Sequence, residues 1–304
     1  MTSSLLPLIV AVVFGVATCV TAAAESGPKA PTETVSAMQP AAPAVKSHFH
    51  RVMVVVLENA SSEEAAKQPF LASLGRRGAI LSNVTAEAHP SQPNYLALVA
   101  GSTFGVRSDR NVNLEASQLG DLLEAKGLQW KVYAEGFPGH CFLGPKQGDY
   151  VRKHVPMLSF KNVQSDPARC GRVVEAAQLR QDLQSGSLPD FSLYIPNLKN
   201  DGHDTSVAFA DKWLARKFGP LLADPGFTKD LLFVVTFDED EHFLLLPSSN
   251  HVLTVAVGDG VLPGSQSNAP YTHYSILRLV EDGLGCGTLG REDANAAAIT
   301  GIWR

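Results

Sequence analysis

The sequence predicts an α/β sandwich of three layers, with a sheet between two layers of helices. Two continuous apolar runs, Arg51–Leu57 and Leu231–Phe237, have the composition of strands that are buried on both faces. Helical and strand-like segments alternate between these runs, as they do in chains that form a largely parallel sheet. A further strand at 252–257 is predicted in the same sheet. No repeat of fixed period appears after residue 48, which argues against a solenoid.

The composition excludes several classes of protein. The chain has 304 residues, of which 45% are apolar and 18% charged, and its formal net charge is −5. These values are typical of a globular protein with a sizeable core. Because there is no surplus of basic residues, no nucleic-acid partner is expected.

The first 46 residues differ in character from the rest of the chain. Residues 1–24 contain a short apolar core followed by small residues, which predicts a secretory signal peptide. A membrane anchor is the alternative, but the apolar segment is short for a span. Residues 25–46 are rich in Pro, Ala, Ser and Thr and predict a disordered linker. We therefore expect a domain at 47–304 that is secreted, or periplasmic in a bacterium, without stable membrane insertion.

Polar residues follow both buried runs at the point where each predicted strand ends. Glu58 and Asn59 follow the first run, and Asp238 and Glu239 follow the second. Open α/β sheets bind their ligands at this edge. Asn59 alone could cap the helix predicted over 63–76, and an acidic run is often a solvated loop. Buried neighbouring carboxylates instead favour a divalent cation, for which Mg, Ca, Mn, Zn and Fe remain open.

Ser91 lies between Pro90 and Pro93, just before an apolar run that predicts a helix ending at Gly101. The prolines predict a stiff, non-helical elbow at the serine. A hydroxyl in front of a helix N-terminus lies where an anion such as a phosphate oxygen is stabilised. A simple helix cap is the ordinary role of such a serine, and this stretch does not decide between the two.

Two histidines and two cysteines complete the set of candidates. His203 is flanked by acids in the loop after the predicted strand Phe191–Ile195, and a carboxylate beside an imidazole orients it and raises its basicity. His273 immediately precedes a predicted helix, where an ordinary capping histidine is the alternative. Cys141 and Cys170 flank one loop and, with the signal peptide, predict a disulfide, which leaves Cys286 unpaired.

Five segments, taken in order, resemble the phosphoesterase family, which joins acid phosphatase A to the non-haemolytic phospholipases C. They are Leu-Glu-Asn at 57–59, Pro-Ser-Gln-Pro-Asn at 90–94, Asn-Asp-Gly-His-Asp at 200–204, Phe-Asp-Glu-Asp at 237–240 and Tyr-Thr-His-Tyr-Ser at 271–275. The resemblance extends from about residue 50 to residue 285. It implies an alkaline-phosphatase-like fold.

The resemblance implies a metal-dependent phosphoester hydrolase in which Ser91 is the nucleophile and becomes phosphorylated. The implied ligands of the divalent metal ion are Glu58, Asn59, Ser91, Asp238 and Glu239. The residues expected to contact the substrate or transfer protons are His89, Asn94, His154, His203, Asp204 and His273. Tyr150 and His154 resemble a further family segment. Chemistry independently allows His203 or His273 to protonate a leaving alcohol.

The length of the chain favours one substrate class. It is short beside the phospholipase members of the family, so we expect an acid phosphatase acting on a small phosphomonoester. A phospholipase C or phosphodiesterase using the same site is the first alternative. A secreted binding protein without catalytic activity is the second.

Overall fold

The computed structural model describes residues 48–241 and 249–304. The predicted signal peptide at 1–24 and linker at 25–46 lie outside the described residues. Eleven strands are described: β1 Arg51–Leu57, β2 Ala79–Thr85, β3 Trp130–Ala134, β4 Lys146–Gln147, β5 Tyr150–Val151, β6 Val173–Glu175, β7 Phe191–Ile195, β8 Leu231–Phe237, β9 His251–Val257, β10 Ser265–Ser267 and β11 Tyr271–Thr272.

The described α-helices are α1 Ser62–Ala66, α2 Pro69–Arg77, α3 Gln92–Ala100, α4 Leu119–Ala125, α5 Lys161–Gln164, α6 Pro167–Cys170, α7 Gln178–Ser185, α8 Val207–Phe218, α9 Pro225–Thr228, α10 His273–Leu284 and α11 Glu292–Asn295. Short 3₁₀ turns occur at Arg152–His154, Pro156–Ser159 and Leu221–Ala223.

Nine of the described strands form one mixed sheet in the order β10-β2-β9-β8-β1-β7-β3-β6, with β11 also paired to β2. The central strand β1 is parallel to both of its neighbours, β7 and β8. The carboxyl ends of these three strands therefore meet at the same edge of the sheet. Helices cover the sheet in a three-layer α/β/α sandwich, which confirms the predicted fold class.

The strands predicted at 51–57, 191–195, 231–237 and 252–257 all lie in this sheet. The helix predicted over 63–76 is instead two helices, α1 and α2, because Pro69 lacks the N–H that would continue the first one. Strand β2 was not predicted. Its apolar and polar residues do not alternate regularly, since the register with β9 shifts between Leu81 and Val84.

The predicted disulfide is present. Cys141 and Cys170 are joined by a bond that spans 29 positions of the chain, with their Cα atoms 5.5 Å apart. Cys286 is a free thiol. None of the described helices is long and apolar enough to cross a membrane.

Candidate active site

The two neighbouring strands β1 and β8 bring acidic residues to one edge of the sheet. Leu57 and Phe237, the last residues of these strands, are paired in the parallel ladder. Glu58 and Asp238 follow them directly, and both are buried. The Asn59 N–H donates to Asp238 Oδ1 at 3.2 Å, and Asn59 has a φ of 54°, a left-handed value that Asn tolerates better than most residues. The chain reversal after β1 thus ties the two acidic segments together.

Ser91 is buried at the start of α3, and its hydroxyl faces two carboxylates. Its Oγ lies 3.3 Å from Glu58 Oε2 and 3.4 Å from Glu239 Oε1. It accepts no hydrogen bond from the first turn of α3. The helix-cap role that the sequence left open is therefore excluded, and the hydroxyl is directed at the acidic cluster.

The backbone of Ser91 differs from its prediction. Ser91 has φ −50° and ψ −50°, which are helical values, whereas the flanking prolines predicted a non-helical elbow. A proline restricts the residue that precedes it, and Ser91 is followed by Gln92. The helical region is therefore accessible to Ser91, and the first turn of α3 includes it. The preceding bond between His89 and Pro90 is cis.

His154 is buried between three side chains at the end of the 3₁₀ turn that follows β5. Its Nε2 lies 3.3 Å from Glu58 Oε1, and its Nδ1 lies 3.5 Å from Asp201 Oδ2. Its ring stacks on Tyr95 with a centroid distance of 4.9 Å, and the Tyr95 hydroxyl donates to Glu58. The Asp201 carbonyl accepts from the Glu58 N–H at 3.0 Å, so the loop after β7 is fixed to the end of β1.

Glu58, His154 and Asp201 form a buried group that could hold a metal ion. Each offers a donor atom within 4.8 Å of the others. Both His154 ring nitrogens and Asp201 Oδ2 are buried without a hydrogen-bond partner among the described residues. Buried polar atoms are rarely left without a partner, so these atoms fit a bound cation.

The metal ligands implied by the sequence lie around the same carboxylate. Glu58 belongs both to the group with His154 and Asp201 and to the set of ligands implied by the sequence. The Ser91 hydroxyl lies between Glu58 and Glu239. Asp238 Oδ2 is another buried oxygen without a hydrogen-bond partner among the described residues. The two donor groups therefore meet at Glu58, and the implied ligand assignment stays a prediction.

Burial raises the pKa of every carboxyl group in this cluster. It raises the pKa of Glu58 well above its usual range, with a further rise from the charge of Asp238. Burial followed by the Asp238 charge raises the pKa of Glu239 to about 9. Burial also raises the pKa of Asp201 to about 8 and that of Asp238 to about 6. A divalent cation would reverse these shifts by stabilising the ionised forms.

His203 lies in the loop after β7 and remains partly exposed. Its ring Nδ1 is 2.8 Å from Asp204 Oδ1, and its backbone N–H donates to Asp201 Oδ1 at 2.8 Å. Its ring centroid lies 6.0 Å from that of His154. An imidazole held at one nitrogen by a carboxylate and reached by solvent can exchange protons.

His273 is fully buried behind the site. Its Nδ1 lies 2.5 Å from Glu87 Oε2, and its Nε2 lies 2.9 Å from the carbonyl oxygen of Phe237. The Phe237 carbonyl can only accept, so Nε2 carries hydrogen, and an ionised Glu87 requires a hydrogen on Nδ1 as well, which makes the ring a cation. Burial lowers the pKa of His273, but Glu87 and the Phe237 carbonyl outweigh burial and leave the pKa above its ordinary value.

Asn94 and His89, the remaining predicted substrate contacts, both have protein partners. Asn94 is buried, and its Oδ1 accepts from the Ala88 N–H at 2.9 Å while its Nδ2 donates to the Ala88 carbonyl at 2.7 Å. His89 Nδ1 lies 2.7 Å from Glu239 Oε2. Asn94 therefore shapes the turn before Ser91, and its contact with substrate stays a prediction.

Comparison with known proteins identifies the class. The model of the Phosphoesterase family matches residues 61–285. The chain belongs to the phosphoesterase family. Its fold is similar to a solved protein of the alkaline phosphatase superfamily from Vibrio parahaemolyticus, with a TM-score of 0.58 and 12% identity over 82% of this chain and 71% of that one. The resemblance inferred from the sequence is thereby confirmed.

Two relatives represent the curated members of the phosphoesterase family that this chain matches. A probable acid phosphatase of Kluyveromyces lactis is 36% identical over 264 residues, which are 83% of this chain and 62% of the relative. A phosphatidylinositol-3-phosphatase of Mycobacterium tuberculosis is 38% identical over 260 residues, which are 84% of this chain and 83% of the relative. The chain spans 58% to 62% of the length of the fungal acid phosphatases.

Sequence reasoning missed several residues in and around this candidate site. Asp201 stands in the same loop as His203 and Asp204, so its position was visible, but nothing indicated which acid of the loop faces inwards. Tyr95 read as an ordinary apolar helix residue. Lys153 lies within the segment from Tyr150 to His154, but nothing there indicated a role for it, and Glu87 and Asp109 are found only by their contacts.

Proposed function

We propose that this protein is a secreted, metal-dependent acid phosphatase that hydrolyses phosphomonoesters through a phosphoserine at Ser91. The position of the Ser91 hydroxyl carries the proposal. It is buried between Glu58 Oε2 and Glu239 Oε1 and does not cap the helix that it precedes. A serine placed in this way is suited to attack an electrophile bound at the start of α3.

The metal ion would be held by the carboxylates that surround Glu58. The residues that would hold it are Glu58 with Asn59, Ser91, Asp238 and Glu239, or Glu58 with His154 and Asp201. When bound, a divalent cation lowers the pKa of a coordinated hydroxyl and offsets the charge of phosphoryl oxygens. Because Glu58 is common to both groups, its removal should abolish metal binding in either arrangement.

The protons of the reaction have defined routes. As Ser91 Oγ forms a bond to phosphorus, its proton passes to Glu58 Oε2 or Glu239 Oε1, which lie 3.3 and 3.4 Å from it. His203, oriented by Asp204, protonates the alcohol oxygen when its bond to phosphorus breaks. The neutral His203 then accepts a proton from the water that attacks the phosphoserine. As the bond between phosphorus and Ser91 Oγ breaks, Oγ takes back its proton from the carboxyl group that accepted it, which releases phosphate and restores both Ser91 and the carboxylate.

The relatives support a monoester substrate. The Mycobacterium tuberculosis relative is named for removal of a phosphate from a phosphatidylinositol phosphate, and the fungal relatives are named acid phosphatases. A panel of phosphoester substrates distinguishes the alternatives. Hydrolysis of phosphodiesters or phospholipids would indicate a phosphodiesterase or phospholipase C, and hydrolysis of no substrate would indicate a binding protein without catalytic activity.

Secretion is supported by the predicted signal peptide at 1–24 and by the bond between Cys141 and Cys170, since disulfides persist in oxidising compartments. An N-terminal sequence that begins near residue 25 in the culture medium or periplasm is the expected result. Full-length protein retained in the cytosol would contradict secretion.

The deciding experiment is Ser91→Ala. We expect its kcat on phosphomonoesters to fall by at least about 10³-fold, because nucleophile removal leaves only binding and electrostatic stabilisation. Its unfolding free energy should change by less than about 1 kcal/mol, because the hydroxyl caps no helix. Ser73→Ala in α2 is the matched control and should keep full activity.

Two further measurements accompany it. Acid quenching of the wild-type reaction should trap phosphate on Ser91, as detected by mass spectrometry, and chelation should abolish turnover until a divalent metal is restored. Near wild-type turnover by Ser91→Ala on every phosphoester tested would overturn the phosphoserine mechanism.

A further inference from the structure

A largely enclosed lysine is linked through one carboxylate to the start of α3 and has no part in the chemistry above. Lys153 directly precedes His154, and only 14% of its side chain is exposed. Its Nζ lies 2.7 Å from Asp109 Oδ2. The other oxygen of that carboxylate, Oδ1, accepts from the Gln92 N–H at 3.1 Å. One carboxylate thus connects the ammonium group to the residue that follows Ser91.

At the start of α3, Gln92 differs from the next two residues because its backbone N–H donates to a side chain outside the helix. Pro93 has no N–H, and the Asn94 N–H donates back to the Ser91 carbonyl at 3.0 Å. Asp109 therefore places a negatively charged oxygen where the helix N-terminus favours an anion. Its second oxygen holds Lys153 at the same place.

The loop that carries Asp109 is fixed to α3 at a second point. With its amide nitrogen assigned towards two carbonyl groups, the Gln92 side chain donates to Ser108 at 3.0 Å and also to Arg110. The position of Asp109 is therefore set by both the backbone and the side chain of Gln92. A carboxylate held in this way can in turn fix the direction of a long, flexible lysine.

The charge of Lys153 reaches the acidic cluster. Burial raises the pKa of Glu58, Asp201 and Glu239, and the Lys153 ammonium opposes that rise at each of them. A substrate phosphate arriving at Ser91 would be repelled by these carboxylates. Charge-assisted hydrogen bonds from an ammonium group are a common means of binding phosphate in such surroundings.

We propose that Lys153 binds a nonbridging oxygen of the substrate's phosphoryl group and that Asp109 is the positioning residue that fixes the ammonium beside Ser91. The proposal rests on the proposed phosphatase function and adds to it a substrate contact that neither the sequence motifs nor the metal ligands supply. The competing role for Lys153 is to balance the charge of the carboxylates without touching the substrate.

The test compares Lys153→Met, Lys153→Arg and Asp109→Asn at saturating divalent metal. Inorganic phosphate is the probe, and its affinity is measured by calorimetry and by competitive inhibition. We expect Lys153→Met to bind phosphate about 10- to 100-fold more weakly, the range of one lost hydrogen bond to a charged group. Its kcat/KM should fall at least as much. Lys153→Arg should recover most of the affinity, and Asp109→Asn should lie between Lys153→Met and wild type.

Lys131→Met is the matched control, because Lys131 forms a similar, largely enclosed ion pair with Asp182. Loss of this ion pair should leave phosphate affinity unchanged. Metal affinity is measured in every variant. The proposal is overturned if Lys153→Met binds phosphate as wild type does once metal is saturating, or if the wild type binds none. If the wild type binds phosphate but hydrolyses no monoester, the proposed function is wrong. The role of Lys153 in binding phosphate is then judged from the phosphate affinities of the variants.

Discussion

His203 and His273 are both histidines paired with a carboxylate near the candidate active site, but their surroundings are opposite. His203 lies in a partly exposed loop and is held at Nδ1 by Asp204. His273 is fully buried, and Glu87 and the Phe237 carbonyl occupy both of its nitrogens. The second ring nitrogen of His203 is not held by a buried partner among the described residues, and solvent reaches the ring. His273 cannot gain or lose a proton without leaving an acceptor or a charge unpaired in the interior.

The comparison shows that the same pair of residue types serves two purposes, according to burial. A solvent-reached imidazole with one fixed nitrogen is suited to proton transfer. An enclosed imidazolium that donates to the carbonyl just before Asp238 holds the end of β8 in place. The proposed mechanism therefore uses His203 for proton transfer, and we expect His273 to act on structure.

The largest expected effect is on turnover and belongs to His203. His203→Asn should lower kcat by about 10²- to 10⁴-fold, the usual contribution of general acid–base catalysis. Its unfolding free energy should change little, because the ring is partly exposed. Steady-state kinetics and thermal unfolding measure the two quantities, with His140→Asn in an exposed loop as control. Full activity in His203→Asn would show that His203 has no catalytic role and that its contrast with His273 does not concern catalysis.

A smaller effect, on stability, belongs to the buried pair. Glu87→Gln should lower the free energy of unfolding by about 3 kcal/mol, because it leaves the His273 cation without its charged partner. Its kcat should fall by much less than that of His203→Asn. Urea unfolding measures the loss, and Glu63→Gln is the control, since the solvent-exposed pair of Glu63 and Lys67 is screened by water and should contribute little to stability. An unchanged stability with a collapsed kcat would reverse the two roles.

The smallest effect is the pH dependence of that stability difference. The pKa of folded His273 lies above its ordinary value, because Glu87 and the Phe237 carbonyl outweigh the burial that lowers it, and the charge of Asp238 adds to the rise. A group whose pKa rises on folding contributes fully to the free energy of unfolding below its unfolded-state pKa, which is about 6.5 for His. That contribution is lost as pH rises through the folded-state pKa. The difference between wild type and Glu87→Gln should therefore be largest below about pH 6.5 and shrink as pH rises through the folded-state pKa of His273. A difference that grows with pH in urea unfolding would show that His273 is neutral when folded.

The strands were predictable because their sequences carry their own signal. Runs such as residues 52–57 and Leu231–Phe237 are largely apolar on both faces, and a strand inside a covered sheet buries both faces. Strand β2 gave no such signal, because it mixes apolar and polar residues across a shift in register. The split at Pro69 was readable in principle from the missing N–H of proline.

The site was predictable to the extent that it lies in short ordered motifs. Ser91, Glu58 and Asp238 stand directly at element ends, where the chain position alone indicates the sheet edge. The charge state of His273 depends on Glu87, which is 186 positions away in the chain. No local pattern reports that distance, so the distinction between His203 and His273 needed coordinates.

The sequence by itself determined the fold class, the family and the chemical types of residue that gather at one edge of the sheet. These follow from local propensity, apolar periodicity and motif order. The tertiary structure alone decided that the Ser91 hydroxyl is not a helix cap, that Asp201 faces inwards beside His154, and that Lys153 is held next to α3. The reason is physical: burial and pairing between residues distant in the chain set the charge and direction of a side chain, and neither is written in its neighbours.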